Sequence, residues 1–507
     1  MSGQQELYAC LYAQEFPAQA LLRLRPELRR NAVVVMEGEP PLQTVCSLNA
    51  QARRLGIARG MTRVEVETFA SVTVLPRSTG EQAATRAALL ECAGTFSPRV
   101  EDLCARSNRS EFLCGIDIAG TEKLFGPAVV LAQALLRRVR ALGVIASAAV
   151  SSNFEAAICH ARGRPTQMAV IPAGSEAAAL AALPIAVLEL SEEHAETFAL
   201  WGIRTLGALA ALPEKELVAR LGQAGKRLRQ LACGQLPHLL VPREPEFHLE
   251  ERMELDTPVE LLDSLLFVVG VMLEQLIVRA TARVLALASV TVTLWLEGGA
   301  SHTRTVRPAL PSNDRRLWIK LLHLDLEAHP PQAAILSLTL AAEPGSTSKV
   351  QLGLFSPQLP EPMRLDVTLA RIRAIVGEDC VGRPVLTDTH RPDAFRMEQF
   401  SVATRPAGSI ADPPDKPVAA MRRLRPAERV VVTLRGRRLE GFIFRAQQYE
   451  VERAYGPWTM SGDWWNQSLW GVEQWDVIAR CGDGAMLCCC LVRDAALDAW
   501  LMAGLYD

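Results

Sequence analysis

The chain has 507 residues, 49% of them hydrophobic and 22% charged, with a formal net charge of −2. That length predicts three or four domains; the composition excludes a disordered chain, and the near-neutral charge excludes a global pull toward nucleic acid, so any DNA contact must come from local basic patches. The twelve cysteines show no CxxC pairing, no signal peptide is visible and no uninterrupted apolar stretch reaches bilayer length, which predicts a cytoplasmic protein with reduced thiols, no zinc site and no membrane partner.

Strand and helix signals alternate over residues 1–183. Apolar runs predict strands at 7–12, 32–36, 45–48, 111–118 and 145–150, and helices at 49–55, 81–93 and 127–142, with Gly56 and Gly143 as stops. This interleaving predicts an α/β or α+β domain. Residues 184–240 read as short helices only. Gly202 and Gly207 bracket a turn that carries Arg204, and Gly222 and Gly225 sit at a second turn followed by Lys226, Arg227 and Arg229. Helix-hairpin-helix turns of this kind let backbone N–H groups approach a phosphate at a helix start, so these residues are candidates for sequence-independent DNA binding.

From residue 247 the pattern changes to a long helix at 259–281, a strand at 289–296, a helix at 314–326 and a strand at 334–341. The octet 289–296 alternates strictly, which places Thr291, Thr293 and Trp295 on one face. Gln351-Leu352-Gly353-Leu354-Phe355 then offers a polar head and apolar anchors in a short extended peptide, the form that docks in a groove on another protein. It resembles the sliding-clamp binding motif of bacteria. A connecting segment and proline-rich linker occupy 356–417. Residues 418–507 read as a small β-rich module with six of the nine tryptophans, whose rings serve either as core or as a partner surface. The adjacent Trp464 and Trp465 cannot both point to one face of a strand, so one of them is a candidate partner contact.

The order of these modules resembles a Y-family translesion DNA polymerase of the UmuC/DinB-like superfamily. The resemblance implies an α+β multidomain right hand, with palm and fingers at 1–183, a helix-hairpin-helix thumb at 184–240, a little finger at 247–355 ending in the clamp peptide, and the small C-terminal module at 418–507 as an addition. Ala52-Arg53-Arg54-Leu55-Gly56-Ile57 is similar to the family's fingers segment, and Asp117-Ile118-Ala119-Gly120 to its palm strand and turn.

The chemistry departs from the family. Two-metal phosphoryl transfer needs carboxylates converging from separate strands. The family's first-strand aspartates fall on Cys10 and Tyr12. Its Asp-Glu pair falls on Phe112 and Leu113 if Asp117 matches the later turn, or on Asp117 and Ile118 in the other register. A fingers tyrosine appears as Ala50, and two lysines as Phe154 and Ile158, while Arg53 is kept. No catalytic residue, metal site or cofactor is therefore expected. The alternative is a diverged active polymerase with a shifted site built from Glu15, Asp102, Glu111 and Asp117.

This loss, with Gly377–Phe395 and the tryptophan-rich ending, resembles the ImuB-type group of polymerase-like mutagenesis proteins. Membership implies a non-catalytic hub of a damage-induced (SOS) translesion complex. It would bind DNA, the sliding clamp (β subunit), a RecA-like accessory protein and an error-prone C-family polymerase. His390, within Asp388-Thr389-His390-Arg391, has no ligand set at metal spacing and reads as a structural hydrogen bonder.

Overall fold

The computed structural model describes residues 6–104, 110–242, 247–308, 310–346, 365, 368–369, 371–373, 376–377, 380–389, 394–398, 420–462, 470–495 and 497–506. The chain divides into two compact units, Met1–Ala374 and Ile375–Asp507.

In the first unit, strand Tyr8–Ala13 lies at the centre of a five-stranded sheet, between Phe112–Asp117 and Ser147–Ser151, with Val100–Asp102 and Met168–Val170 at the edges. Every residue of Tyr8–Ala13 is buried, as a strand covered on both faces requires. Ala9, Leu11 and Ala13 face helices Thr79–Gly94 and Ala128–Ala141. Tyr8, Cys10 and Tyr12 face helix Phe154–Gly163. A second, three-stranded sheet pairs Ala32–Glu37 with Thr44–Leu48 on one side and Val72–Pro76 on the other. Helix Ala50–Arg54 starts where the Asn49 side chain accepts from the Ala52 N–H.

The helical segment packs around Leu180, Phe198, Leu206, Leu209 and Leu217. Beyond it, a four-stranded antiparallel sheet runs Ser301–Val306, Leu285–Leu296, Ile335–Ser346, Leu249–Val259. Helices Leu262–Ala282 and Arg315–Ala328 bury their apolar sides against it. The sequence reading missed two of these strands. Leu249–Val259 is rich in acids and alternates only weakly, and Ser301–Val306 is an exposed polar edge. The helix expected at 259–281 starts at Leu262 instead, because Val259 still pairs with Ile335. Leu262–Ala282 is long and apolar enough to cross a membrane. Here Met272, Leu273, Leu276 and Ala280 spend that apolarity on the sheet.

An ionic cluster joins this module to the palm. Arg23 of helix Phe16–Arg23 pairs with Glu251, and Arg279 pairs with both Glu251 (3.0 Å) and Glu91 (2.6 Å). Arg25 pairs with Glu81 at 2.8 Å, and the Glu254 N–H donates to Glu81 at 3.0 Å. Burial pushes the carboxyls of Glu81 and Glu91 up, against the opposing pull of their arginines. Arg23 and Glu251 are 228 residues apart in sequence, and no local pattern announces them.

In the second unit, a seven-stranded antiparallel sheet has the order Met421–Arg429, Ala499–Tyr506, Met486–Asp494, Trp470–Cys481, Gln447–Gly462, Arg438–Phe444, Val431–Arg435. Its two edge strands are consecutive in sequence, with only Val430 between them. A flat sheet would hold these edges about 29 Å apart, whereas one intervening residue spans at most about 7 Å. The sheet therefore rolls up until its edges meet. Val430 is buried at the seam, where its N–H donates to the Trp500 carbonyl at 3.0 Å. Phe442, Phe444, Leu491 and Met502 fill the interior.

Candidate functional site

Strand alternation decides what faces the palm cleft. Tyr12 stands opposite Leu113, Cys10 opposite Gly115, and Tyr8 opposite Asp117. Cys10 is buried beneath Phe154, Ala157 and Ile158, and that burial pushes its thiol far above the usual range. The Phe154 ring lies directly on Gly115, where any Cβ would meet it at 2.3 Å. The ring where the family carries a lysine is thus part of the core, stacked on His238 at 3.9 Å. Phe112 points to the opposite face and packs on Phe16. Asp117 lies four residues along the sheet from the Tyr12–Leu113 pair, about 13 Å away. There it pairs with Arg99 at 2.8 Å and accepts from the Ala119 N–H.

Each carboxylate named for a shifted site lies beside an arginine. Asp102 pairs with Arg86 and Asp117 with Arg99. Glu111 accepts from the Tyr12 hydroxyl at 2.9 Å and lies 3.9 Å from Arg162. Burial, reinforced by the Glu111 charge, raises the Tyr12 phenol pKa, so Tyr12 stays a proton donor. Glu15 sits just past the strand, in the left-handed conformation (φ 52°), and is nearly buried. Its carboxylate takes Arg53 (2.5 Å), Arg59 (3.0 Å), the Ser47 hydroxyl (2.8 Å) and the Leu48 N–H (3.1 Å). The fingers arginine retained in the sequence is therefore neutralised from within. Among the described residues no three His, Cys, Asp or Glu side chains converge as a metal site. With Tyr12, Leu113 and Phe112 in the strands, this donor set does not fit a pair of divalent ions. All twelve cysteines are unpaired.

The helical segment contains the two glycine turns, and it separates their residues into two groups. Gly202 (φ 71°) and Gly222 (φ 61°, ψ −150°) are open turns with free space around them, and Gly222 divides Glu214–Ala232 into two helices. Gly207 and Gly225 serve packing. A Cβ would meet the Ala181 carbonyl at 2.9 Å from Gly207 and the Leu217 carbonyl at 2.7 Å from Gly225. The Gly207 N–H is also committed to Ala181. Arg204 and Arg227 are exposed. Lys226 and Arg229 reach back to Glu214, both at 3.5 Å, and Arg229 also donates to the Leu212 carbonyl. Lys226, Arg227, Gln223 and Gln230 line one wall of a cleft of about 800 Å³ whose other wall holds Glu155, Ile158 and Arg162 of the palm.

The clamp peptide Gln351–Phe355, Trp464 and Trp465, and His390 with Arg391 lie outside the described residues. Of the other tryptophans, Trp475 and Trp500 pack together at 4.6 Å against the barrel core, whereas Trp458 is exposed.

Residues 11–162 match the family described as impB/mucB/samB. The chain is similar to the protein ImuB of Caulobacter vibrioides (strain NA1000 / CB15N), 25% identical over 385 residues that cover 74% of this chain and 82% of that one. It is also similar to DNA polymerase IV of Dehalococcoides mccartyi (strain CBDB1), 30% identical over 225 residues covering 42% of this chain and 54% of the relative. Among solved structures, the insertion ternary complex of Dbh DNA polymerase aligns with a TM-score of 0.40 at 17% identity, covering 66% of this chain and 98% of that one. Residues 11–162 thus form a domain of the impB/mucB/samB family, carried in a chain that is a homologue of ImuB.

Proposed function

We propose that the chain is a non-catalytic adaptor of DNA repair. It would hold DNA through its thumb turns, the sliding clamp through Gln351–Phe355, and a RecA-like protein and an error-prone C-family polymerase through other surfaces, in the cytoplasm of a cell responding to DNA damage. The observation that carries this reading is the palm cleft. Its strand positions hold Cys10, Tyr12 and Leu113, and Glu15, Asp102 and Asp117 are each already engaged by an arginine. Replacing those arginine contacts with a pair of metal ions would require breaking several charge-assisted hydrogen bonds at once. The purified chain should incorporate no nucleotide on a primed template with either Mg²⁺ or Mn²⁺. Robust extension under either metal would establish the active-polymerase alternative.

The thumb turns give a second expected result. Arg227→Ala should weaken duplex binding equally for all sequences and make the log–log salt slope shallower by about 0.9, the loss of one phosphate contact. Arg229→Ala should leave the slope unchanged, because its guanidinium is turned to Glu214 and Leu212. Fluorescence anisotropy across a salt series reads both, and equal slopes for parent and Arg227→Ala would remove the thumb from the DNA interface.

A further inference from the structure

Residues 421–445 of the C-terminal barrel hold eight arginines, two acids and no lysine. Glu428 is taken by Arg445, and Glu440 reaches Arg435 only at 3.4 Å between exposed groups. The hairpin between Val431–Arg435 and Arg438–Phe444 turns through Gly436 (φ 64°), which crowds Arg435, Arg437 and Arg438 onto one exposed tip. Arg435 and Arg438 are direct cross-strand partners. Like charges so placed destabilise a sheet, so folding does not account for them.

The neighbouring strand extends the patch. Gly441 pairs with Glu450 and Phe442 with Tyr449, so Gln447–Gly462, which carries the exposed Arg453, is the strand next to the hairpin. Tyr455 and Trp458 follow on the same strand, 49% and 47% exposed. Two large aromatics are thus held open to solvent on the strand that neighbours the arginine hairpin, the first of them two residues from Arg453. Guanidinium forks match phosphate oxygens, and bases stack on exposed rings with little regard to sequence.

We propose that this arginine tip and the adjoining aromatic strand form a platform for single-stranded nucleic acid, separate from the thumb turns and independent of the adaptor reading. The arginines track the backbone, and Tyr455 and Trp458 take unstacked bases. A duplex offers the phosphates but no free base faces, so the platform discriminates against it.

The test uses the full chain and a labelled oligothymidylate, read by anisotropy across a salt series. Replacing Arg435→Gln, Arg437→Gln and Arg438→Gln together should lower affinity at least tenfold at low salt and make the slope shallower by about 2, at 0.7 per lost single-strand contact. The triple Arg→Lys variant should recover most of that slope, which shows that the barrel still folds. Tyr455→Ala with Trp458→Ala should cost about tenfold with the slope unchanged. An unlabelled duplex should compete poorly. Absence of binding by the parent, an unchanged slope in the Gln variant, or equal competition by duplex combined with no effect of the aromatic variant would each overturn the proposal, the last two in favour of an acidic protein or simple backbone attraction.

Discussion

Glu251→Ala should cost the palm and little-finger unit about 3–5 kcal/mol. Glu251 is fully buried and answers two guanidiniums at once, Arg23 from the palm and Arg279 from the little finger. Removing its carboxylate strands Arg23 with no opposing charge in a place water does not reach. Arg279 keeps Glu91 at 2.6 Å and the carbonyl of Glu250 at 2.8 Å, so the loss falls mainly on Arg23. An exposed pair gives the scale for comparison. Arg307 and Glu343 lie 2.6 Å apart with half or more of each side chain in solvent, and Glu343→Ala should change stability by less than about 1 kcal/mol. Urea unfolding of the two variants, followed by tryptophan fluorescence, separates them. Equal midpoints would mean that the cluster contributes nothing to holding the little finger on the palm. Limited proteolysis supplies a second readout, because Glu251→Ala should expose strand Leu249–Val259 to cleavage while the parent resists.

Leu354→Ala and Phe355→Ala together should weaken binding to the sliding clamp by about 30- to 1000-fold, the loss typical of two buried apolar anchors at the centre of a small interface. The physical basis is that a short extended peptide has few contacts over which to spread its binding energy. Gln351→Ala should cost less, since its amide exchanges one set of hydrogen bonds for water. Calorimetric titration with purified clamp measures each. Unchanged affinity in the double variant, or no binding by the parent, would move the clamp contact elsewhere or remove it. A chain ending at residue 400 should keep clamp binding and lose the RecA-like partner, so the two contacts are separable in one set of experiments.

Much of this molecule could be read from its residues. The apolar run at 7–12, the helix signal at 49–55 and the strict alternation at 289–296 each follow from short-range rules, and elements formed there as Tyr8–Ala13, Ala50–Arg54 and Leu285–Leu296, the last reaching further toward the N-terminus than its alternation. That Cys10, Tyr12, Phe112 and Leu113 are not carboxylates was equally legible, because it is a matter of residue identity. Polar edges were not. Leu249–Val259 and Ser301–Val306 have no apolar period of their own and become strands only because neighbouring strands offer hydrogen bonds.

What the sequence determined by itself is the order of the modules, the elements with a buried face, and the presence of Cys10, Tyr12, Phe112 and Leu113 where the resemblance leads one to expect carboxylates. What only the tertiary structure decided is where the charges go. Glu15 meets Arg53 and Arg59 across 38 and 44 residues, Arg23 meets Glu251 across 228, and Arg435 faces Arg438 through sheet register. Hydrophobic periodicity is a local property of the chain, repeated every two or 3.6 residues. A charge meets a distant partner only when folding brings their two segments together, and that pairing leaves no periodic trace to read.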